Sequence, residues 1–159
     1  MNQTELIEEV EHFITCFKKL SVQFKLRYPN FRNQYNQILV KGLILNAMSK
    51  WERLIRELVK IEITNGSAVQ ISKSHYPVTW NYKSIGPFLQ IDRGTIPYIA
   101  LCRIDNFFNT SFSLSAKRDC LDKLYELRNR FSHGDDFILE REEFDDFLLK
   151  YEELIYNFL

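Results

Sequence analysis

An arginine, an asparagine and a histidine lie close together in the segment ELRNRFSHGDD at residues 126–136. Asn129 follows Arg128 directly, and His133 comes four residues after Asn129, on the same side of a helix. Gly134 can adopt the left-handed conformation that ends a helix, where the macrodipole favours a protonated imidazole. A guanidinium, an amide and a titratable imidazole in one place could bind and polarise a phosphodiester.

Arg128 falls on the apolar side of its own predicted helix. It follows Leu124 by four residues in a stripe that also holds Cys120, Leu121, Leu127 and Phe131. An unpaired guanidinium is costly to desolvate, so Arg128 needs a carboxylate or carbonyl partner, a water-filled cleft or a second subunit. The alternative is that Arg128 and His133 are ordinary basic residues in the last turn of a helix.

Apolar residues repeat every three or four positions over most of the chain. This period predicts helices at residues 4–27, 34–63, 113–133 and 140–159, and a further helix from an N-cap at Thr95 to about Phe108. In the second helix the predicted buried stripe includes Ile38 and Leu45, and Gly42 suggests a close helix crossing.

Residues 66–94 differ from the rest because glycines, prolines and aromatic residues interrupt the helical period. We expect an irregular aromatic-rich insertion there, with short strands or turns. The aromatic residues could stack RNA bases, cover the core or bind another protein. Together these patterns predict an all-α fold, a single domain over residues 1–159 built as an antiparallel bundle of about four to five helices.

Composition limits the classes of function. Lys and Arg number 21 and Asp and Glu number 21, which argues against strong non-specific nucleic-acid binding through bulk charge. A basic run at residues 17–32 could still guide RNA, although a solvated basic helix face is slightly preferred. The three widely spaced cysteines suggest reduced thiols, with Cys16 and Cys120 buried, in a cytoplasmic protein. We expect neither a signal peptide nor a membrane span.

The segment at residues 126–136 resembles the signature of the HEPN superfamily. In that family an arginine, usually followed by a polar residue such as asparagine, precedes a histidine by four to six intervening residues. Arg128, Asn129 and His133 match this pattern, and Gly134 is also common there. The segment MSKWERLIREL at residues 48–58 resembles the family's early helix. The resemblance is best over residues 113–159, fair over 36–63 and absent over 66–94, and it is nearest to small prokaryotic stand-alone HEPN proteins of defence and toxin–antitoxin loci.

The resemblance implies a metal-independent endoribonuclease without a cofactor, in which a homodimer brings two motifs into one cleft. The 2′-hydroxyl of RNA would attack the adjacent phosphorus, leaving a cyclic phosphate and a 5′-hydroxyl. His133 would act as general base or acid, Arg128 would stabilise the additional charge, and Asn129 would orient the phosphate or His133. An antitoxin or a defence-complex protein is a further expected partner. The alternative is a non-catalytic HEPN-type module that binds a protein or a nucleotide.

Several neighbouring side chains are weaker candidates. Lys123 and Arg130 could contact the RNA backbone, although solvated helix charges are common. Ser132 could assist at the site or only cap helix carbonyls. Glu52 could be a supporting acid that pairs with Arg128, and an exposed acid is the alternative. The pair of aspartates at 135–136 suits a turn, so we expect no metal site.

Overall fold

The computed structural model describes residues 2–27, 30–65, 81–132 and 137–159. Seven helices account for most of these residues, and the described ranges contain no strand. The helices are α1 (Gln3–Arg27), α2 (Gln34–Thr64), α3 (Tyr82–Leu89), α4 (Tyr98–Phe108), α5 (Phe112–Ala116), α6 (Arg118–Ser132) and α7 (Arg141–Tyr156). The predicted all-α fold is confirmed, with the short helices α3 and α5 in addition to five longer ones.

Part of the expected irregular insertion is helical. Asn81 begins α3 because its side chain accepts a hydrogen bond from the backbone N–H of Ser84, and the Ser84 hydroxyl accepts one from Asn81 in return. This capping box starts a helix despite Gly86 and Pro87 within it. The expectation of strands or turns is therefore wrong for residues 82–89, whereas residues 66–80 lie outside the described part of the chain.

The predicted helix at residues 113–133 is two helices. Lys117 adopts a left-handed φ of 55°, and this residue separates α5 from α6. The helix before them also begins later than predicted, at Tyr98, because Pro97 rather than Thr95 precedes its first turn. The periodicity of apolar residues does not detect such a break, since the apolar stripe continues through it.

A single carboxylate fixes the corner between α4 and α5. Asp105 accepts hydrogen bonds from the backbone N–H groups of Phe112 and Ser113, at 2.8 and 2.9 Å. The hydroxyl groups of Thr110 and Ser113 donate to the same carboxylate at 2.5 Å each. Asp105 thus satisfies N–H groups at the start of α5 that have no partner within that helix.

The centre of the fold is α2, whose buried side differs from the predicted stripe. The buried apolar residues of α2 are Val40, Ile44, Ala47, Met48, Trp51, Leu54, Ile55 and Val59. Ile38 and Leu45 were expected in the stripe but are 64% and 39% exposed, because α2 turns the side that carries Val40 and Ile44 toward the core. Gly42 is exposed, and a Cβ there would meet nothing within 4 Å, so no close crossing occurs at Gly42 among the described residues.

Helices α1 and α7 pack against α2. Helix α1 runs antiparallel to α2, because Glu9 near the start of α1 forms an ion pair with Arg53 in the second half of α2. The Tyr151 ring of α7 meets the rings of Phe13 and Phe17 edge to face, at 6.4 and 5.9 Å. Cys16 is exposed on α1, contrary to expectation. None of the described helices combines the length and the apolar character that crossing a membrane requires.

Candidate functional site

Arg128 lies at the edge of the buried side of α6. Arg128 is half-buried, whereas Leu124 and Tyr125 before it are buried and Asn129 after it is exposed. The Nη1 atom of Arg128 donates a hydrogen bond to Oδ1 of Asn129 at 3.4 Å. This is the position beside the core that the apolar pattern of the helix predicts, and it leaves the guanidinium in partial contact with solvent.

Glu52 is a buried acid next to this arginine, with 8% of its surface exposed. Its Oε1 accepts a hydrogen bond from the hydroxyl of Tyr125 at 3.2 Å. Burial raises the pKa of the Glu52 carboxyl, while the Tyr125 hydrogen bond and the charges of Arg128 and Arg56 act in the opposite direction. Glu52 is therefore not the exposed acid of the alternative interpretation, and it lies within electrostatic reach of Arg128.

Tyr125 is a member of this group that sequence reasoning missed. Its hydroxyl, besides donating to Glu52, accepts a hydrogen bond from the backbone N–H of Ile96 at 2.8 Å. Burial raises the pKa of Tyr125, and the adjacent Glu52 charge raises it further. The sequence did contain a signal for Tyr125, because it directly follows Leu124 in the apolar stripe of α6. A tyrosine buried there needs a hydrogen-bond partner for its hydroxyl.

Arg56, also unpredicted, holds the connection between α3 and α4 against the site. Its Nε donates to the carbonyl of Ile91 and its Nη2 to the carbonyl of Gly94, both at 2.7 Å. The indole N–H of Trp51 donates to the carbonyl of Ile96 at 3.3 Å. Arg56 follows Glu52 by one helical turn, so one side of α2 carries both the acid and the anchor of the 91–96 segment.

Two aromatic rings bring together the ends of the segment that contains His133. Phe131 and Phe137 stack with centroids 5.2 Å apart and an interplanar angle of 4°. The Nζ of Lys41 on α2 donates to the Phe137 carbonyl at 2.8 Å and lies 5.0 Å from the centre of that ring. The Arg130 guanidinium lies 3.9 Å from the centre of the Phe137 ring. Lys41 is thus a second cation close to the motif, and its sequence signal was its isolation in an otherwise uncharged stretch.

The two candidate RNA-binding residues line a different surface. Lys123 and Arg130 are two helical turns apart on α6 and border a groove of about 340 Å³ between α6 and α7. Arg128 is five residues after Lys123, about 140° around the helix. Lysine and arginine side chains in this groove are matched by acidic ones, since Glu126, Glu143 and Asp146 also line it and Arg130 binds Glu143 at 2.9 Å. In the described part of the chain Lys123 and Arg130 thus line this groove and not the Arg128–Glu52 group, and Arg130 also contacts the Phe137 ring.

The remaining members of the predicted site are only partly described. His133 and Gly134 lie outside the described residues, as does the side chain of Ser132, the last residue of α6. Asn129 is exposed and contacts Arg128. The structure therefore brings together Arg128, Asn129 and Glu52, and adds Tyr125.

The basic run at residues 17–32 is partly neutralised by ion pairs. Lys18 pairs with Glu152 on α7, and Arg32 pairs with Glu140 at 2.5 Å. The side chains of Lys18 and Arg32 are more than half exposed, at 51% and 65%. For these two residues the geometry favours a paired, solvated surface over a guide for RNA.

Among the described residues, no group of three or more histidine, cysteine, aspartate or glutamate side chains has the arrangement of a metal site. Comparisons with protein-family models, with curated proteins and with solved structures find no match to this chain. Its functional assignment therefore depends on the geometry around Arg128 and on the resemblance of residues 126–136 to the HEPN motif.

Proposed function

We propose that the protein is a metal-independent endoribonuclease of the HEPN type, acting as a homodimer in the cytoplasm as a toxin or phage-defence effector. The observation that carries the proposal is the half-buried Arg128 within electrostatic reach of the buried Glu52. A nearby acid lowers the cost of keeping a guanidinium at the edge of the core. The part of Arg128 that faces solvent remains accessible to a phosphate.

In the proposed reaction the protein supplies charge and proton transfer, while RNA supplies the nucleophile. The 2′-hydroxyl loses its proton and attacks the adjacent phosphorus, and the 5′-oxygen leaves with a proton, so that a cyclic phosphate and a 5′-hydroxyl result. His133 takes the first proton or donates the second, because an imidazole titrates near neutral pH. Arg128 stabilises the negative charge that increases on the phosphate oxygens. DNA lacks this hydroxyl and is not a substrate.

Glu52 and Tyr125 act on Arg128 from its buried side. The carboxylate of Glu52 attracts the guanidinium, and the Tyr125 hydroxyl keeps that carboxylate in place at 3.2 Å. Asn129 contacts Arg128 on its exposed side and would orient it or the phosphate. In this interpretation Glu52 and Tyr125 are positioning residues, whereas Arg128 and His133 contact the RNA.

The test is cleavage of structured RNAs and transfer RNA by purified protein in EDTA. We expect wild type to leave cyclic-phosphate ends. His133→Ala and Arg128→Ala should each lose about 100-fold or more in rate. Arg118→Ala is the matched control, because Arg118 is on the same helix with 69% of its side chain exposed. Absence of cleavage by wild type, or equal rates for all variants, would remove the proposal.

Growth of the producing cells gives a second readout. Expression of wild type should inhibit growth, and His133→Ala or Arg128→Ala should relieve the inhibition while Arg118→Ala should not. Equal inhibition by all four proteins would show that toxicity does not come from this site.

The second candidate is a non-catalytic HEPN-type module that binds a protein or a nucleotide. The balanced charge of the α6–α7 groove favours it. Arg128 would then be structural, and Arg128→Ala would lower the free energy of unfolding by about 3–5 kcal/mol. His133→Ala would leave stability and binding unchanged. Thermal melts of both variants, compared with their cleavage rates, separate the two functions.

A further inference from the structure

The first half of α2 presents an uncharged and largely apolar face to solvent. Tyr35, Ile38 and Leu45 are 63%, 64% and 39% exposed, and the exposed residues Gly42 and Ser49 lie on the same side. We call these five residues the Gly42 face. They are separated by three, four, three and four positions, which is the heptad spacing of a seam between two packed helices.

Charge is nearly absent from this part of the chain. Lys41 is the only charged residue between Gln34 and Ser49, whereas 26% of all residues are charged. The amine of Lys41 keeps its charge but points to the carbonyl of Phe137, to which it donates at 2.8 Å. None of the five residues of the Gly42 face is charged, so two copies of the face would bring no like charges of their own together. Repulsion between like charges is the usual obstacle when a helix pairs with itself.

Glycine at the centre of the face permits close approach. Among the described residues a Cβ at position 42 would meet nothing within 4 Å, so the packing of that part of the chain does not require glycine there. Glycine in a helix interior costs about 1 kcal/mol relative to alanine. A partner helix that packs against the bare backbone would account for a glycine that the packing of the described residues does not explain.

The face is also symmetric about its glycine. Tyr35 and Ser49 are each seven residues from Gly42, while Ile38 and Leu45 are four and three residues from it. An antiparallel copy related by a two-fold axis at Gly42 would place Tyr35 opposite Ser49 and Ile38 opposite Leu45. Each large side chain then meets a smaller or apolar one, as an isologous interface requires, and the helix dipoles oppose each other.

The Gly42 face continues into the candidate site. Glu52 follows Leu45 by seven residues on the same helix and lies beside Arg128. On the other side, Lys41 adjoins Gly42 and contacts both rings of the Phe131–Phe137 pair. Ile138, which is 49% exposed, adds apolar surface where residues 137–139 run along α2. A copy bound here would thus border both ends of the candidate site.

We infer that the Gly42 face is the surface on which a second copy of this chain docks, with α2 antiparallel to α2 and a two-fold axis near Gly42. The inference deepens the proposed function, since it names the surface that would bring two Arg128–His133 motifs to one cleft. A stable interface covers about 800 Å² of each partner, more than one helix stripe of this length offers, so Ile138 is also covered.

The test is sedimentation velocity of wild type and Gly42→Glu over a range of concentrations. The substitution meets open space among the described residues and replaces a poor helix former, so thermal stability at concentrations where both proteins are monomeric should not fall. At the axis it places two carboxylates next to each other. We therefore expect wild type to dimerise and Gly42→Glu to dimerise at least about 100-fold more weakly.

Leu114→Glu is the matched control, because Leu114 is 79% exposed on α5 and its substitution also replaces an exposed residue with a charge. It should dimerise as wild type does. A wild type that stays monomeric, a Gly42→Glu protein that stays dimeric, or equal weakening by Leu114→Glu would each overturn the inference.

Cross-linking tests the direction of the two helices. In a Cys16→Ser background, Tyr35→Cys combined with Ser49→Cys should form a disulfide-linked dimer, whereas Ser49→Cys alone should not. A link through Ser49→Cys alone would mean parallel helices and would overturn the antiparallel arrangement. Neither experiment uses RNA, so a dimer on this face without cleavage leaves the inference standing and removes only the nuclease.

Discussion

The hydroxyl of Tyr125 donates a hydrogen bond to Oε1 of Glu52 at 3.2 Å, joining α6 to α2 inside the core. The buried acid therefore has a donor that is independent of Arg128. Replacing Arg128 would leave the Glu52 carboxylate one hydrogen-bond donor, the Tyr125 hydroxyl, but would remove a positive charge that acts on it. This relationship allows the roles of the three residues to be separated by mutation.

Tyr125→Phe should lower the free energy of unfolding by about 1–3 kcal/mol, because it leaves both the Glu52 carboxylate and the Ile96 N–H without their partner. Urea denaturation at neutral pH measures the change. Tyr156→Phe, at an exposed position of α7, is the control and should change stability little. Equal stability of Tyr125→Phe and wild type would show that water or another group replaces the hydroxyl.

Glu52→Gln should change how stability depends on pH. Burial raises the pKa of Glu52 in the folded state, so its contribution is fully present below the unfolded value of about 4.5 and is lost as pH rises through the folded value. Wild type should therefore lose stability relative to Glu52→Gln as pH rises above about 4.5. Urea denaturation at several pH values measures this difference. Glu126→Gln, at an exposed site on α6, controls for general pH effects, and a difference that grows in favour of wild type with rising pH would contradict the prediction.

Arg128→Lys should separate catalysis from stability. Lysine retains the positive charge near Glu52 but cannot offer the paired N–H groups with which a guanidinium binds phosphate. We expect the rate of RNA cleavage to fall about 100-fold, while the unfolding free energy changes by about 1 kcal/mol or less. A lysine variant that is as active as wild type would mean that only charge is needed at this position.

Lys41→Met should weaken the attachment of the Phe131–Phe137 pair to α2. The substitution keeps an unbranched apolar side chain but removes the hydrogen bond to the Phe137 carbonyl and the cation above the rings. Stability should fall by about 1–2 kcal/mol. Thermal melts measure this, with Lys19→Met on the exposed side of α1 as the control. An unchanged melting temperature would show that ring stacking alone holds the pair.

The helices were predictable because their signal is local. The spacing of apolar residues gave α1, α2 and α7 within a few residues of their observed ends, and it placed Arg128 beside the core. The break at Lys117 was not predictable in this way, because it depends on the positive φ of one residue, and the start of α5 depends on the hydrogen bonds of Asp105. Helix α3 begins at the Asn81–Ser84 capping box, and the glycine and proline content of this segment gives no indication of that helix.

The candidate site was predictable only in part. The motif residues follow one another in sequence, whereas Tyr125 and Lys41 join the group through contacts between α6, α2 and residues 137–139. Ile38 and Leu45 were assigned to the wrong side of α2 because apolar side chains occur on two of its sides. Periodicity identifies an apolar stripe, but it does not tell a stripe that packs within the chain from one that the chain leaves open.

The stacking of Phe131 on Phe137 also bears on the entropy of loop closure. The rings hold Phe131, near the end of α6, against Phe137, which precedes α7, so contacts outside residues 133–136 offset the cost of bringing these two positions together. Doubling the length of a loop adds only about 0.6 kcal/mol to its closure. Substitution or lengthening at residues 133–136 should therefore leave the bundle folded, and this part of the chain can change its chemistry with little effect on the stability of the rest.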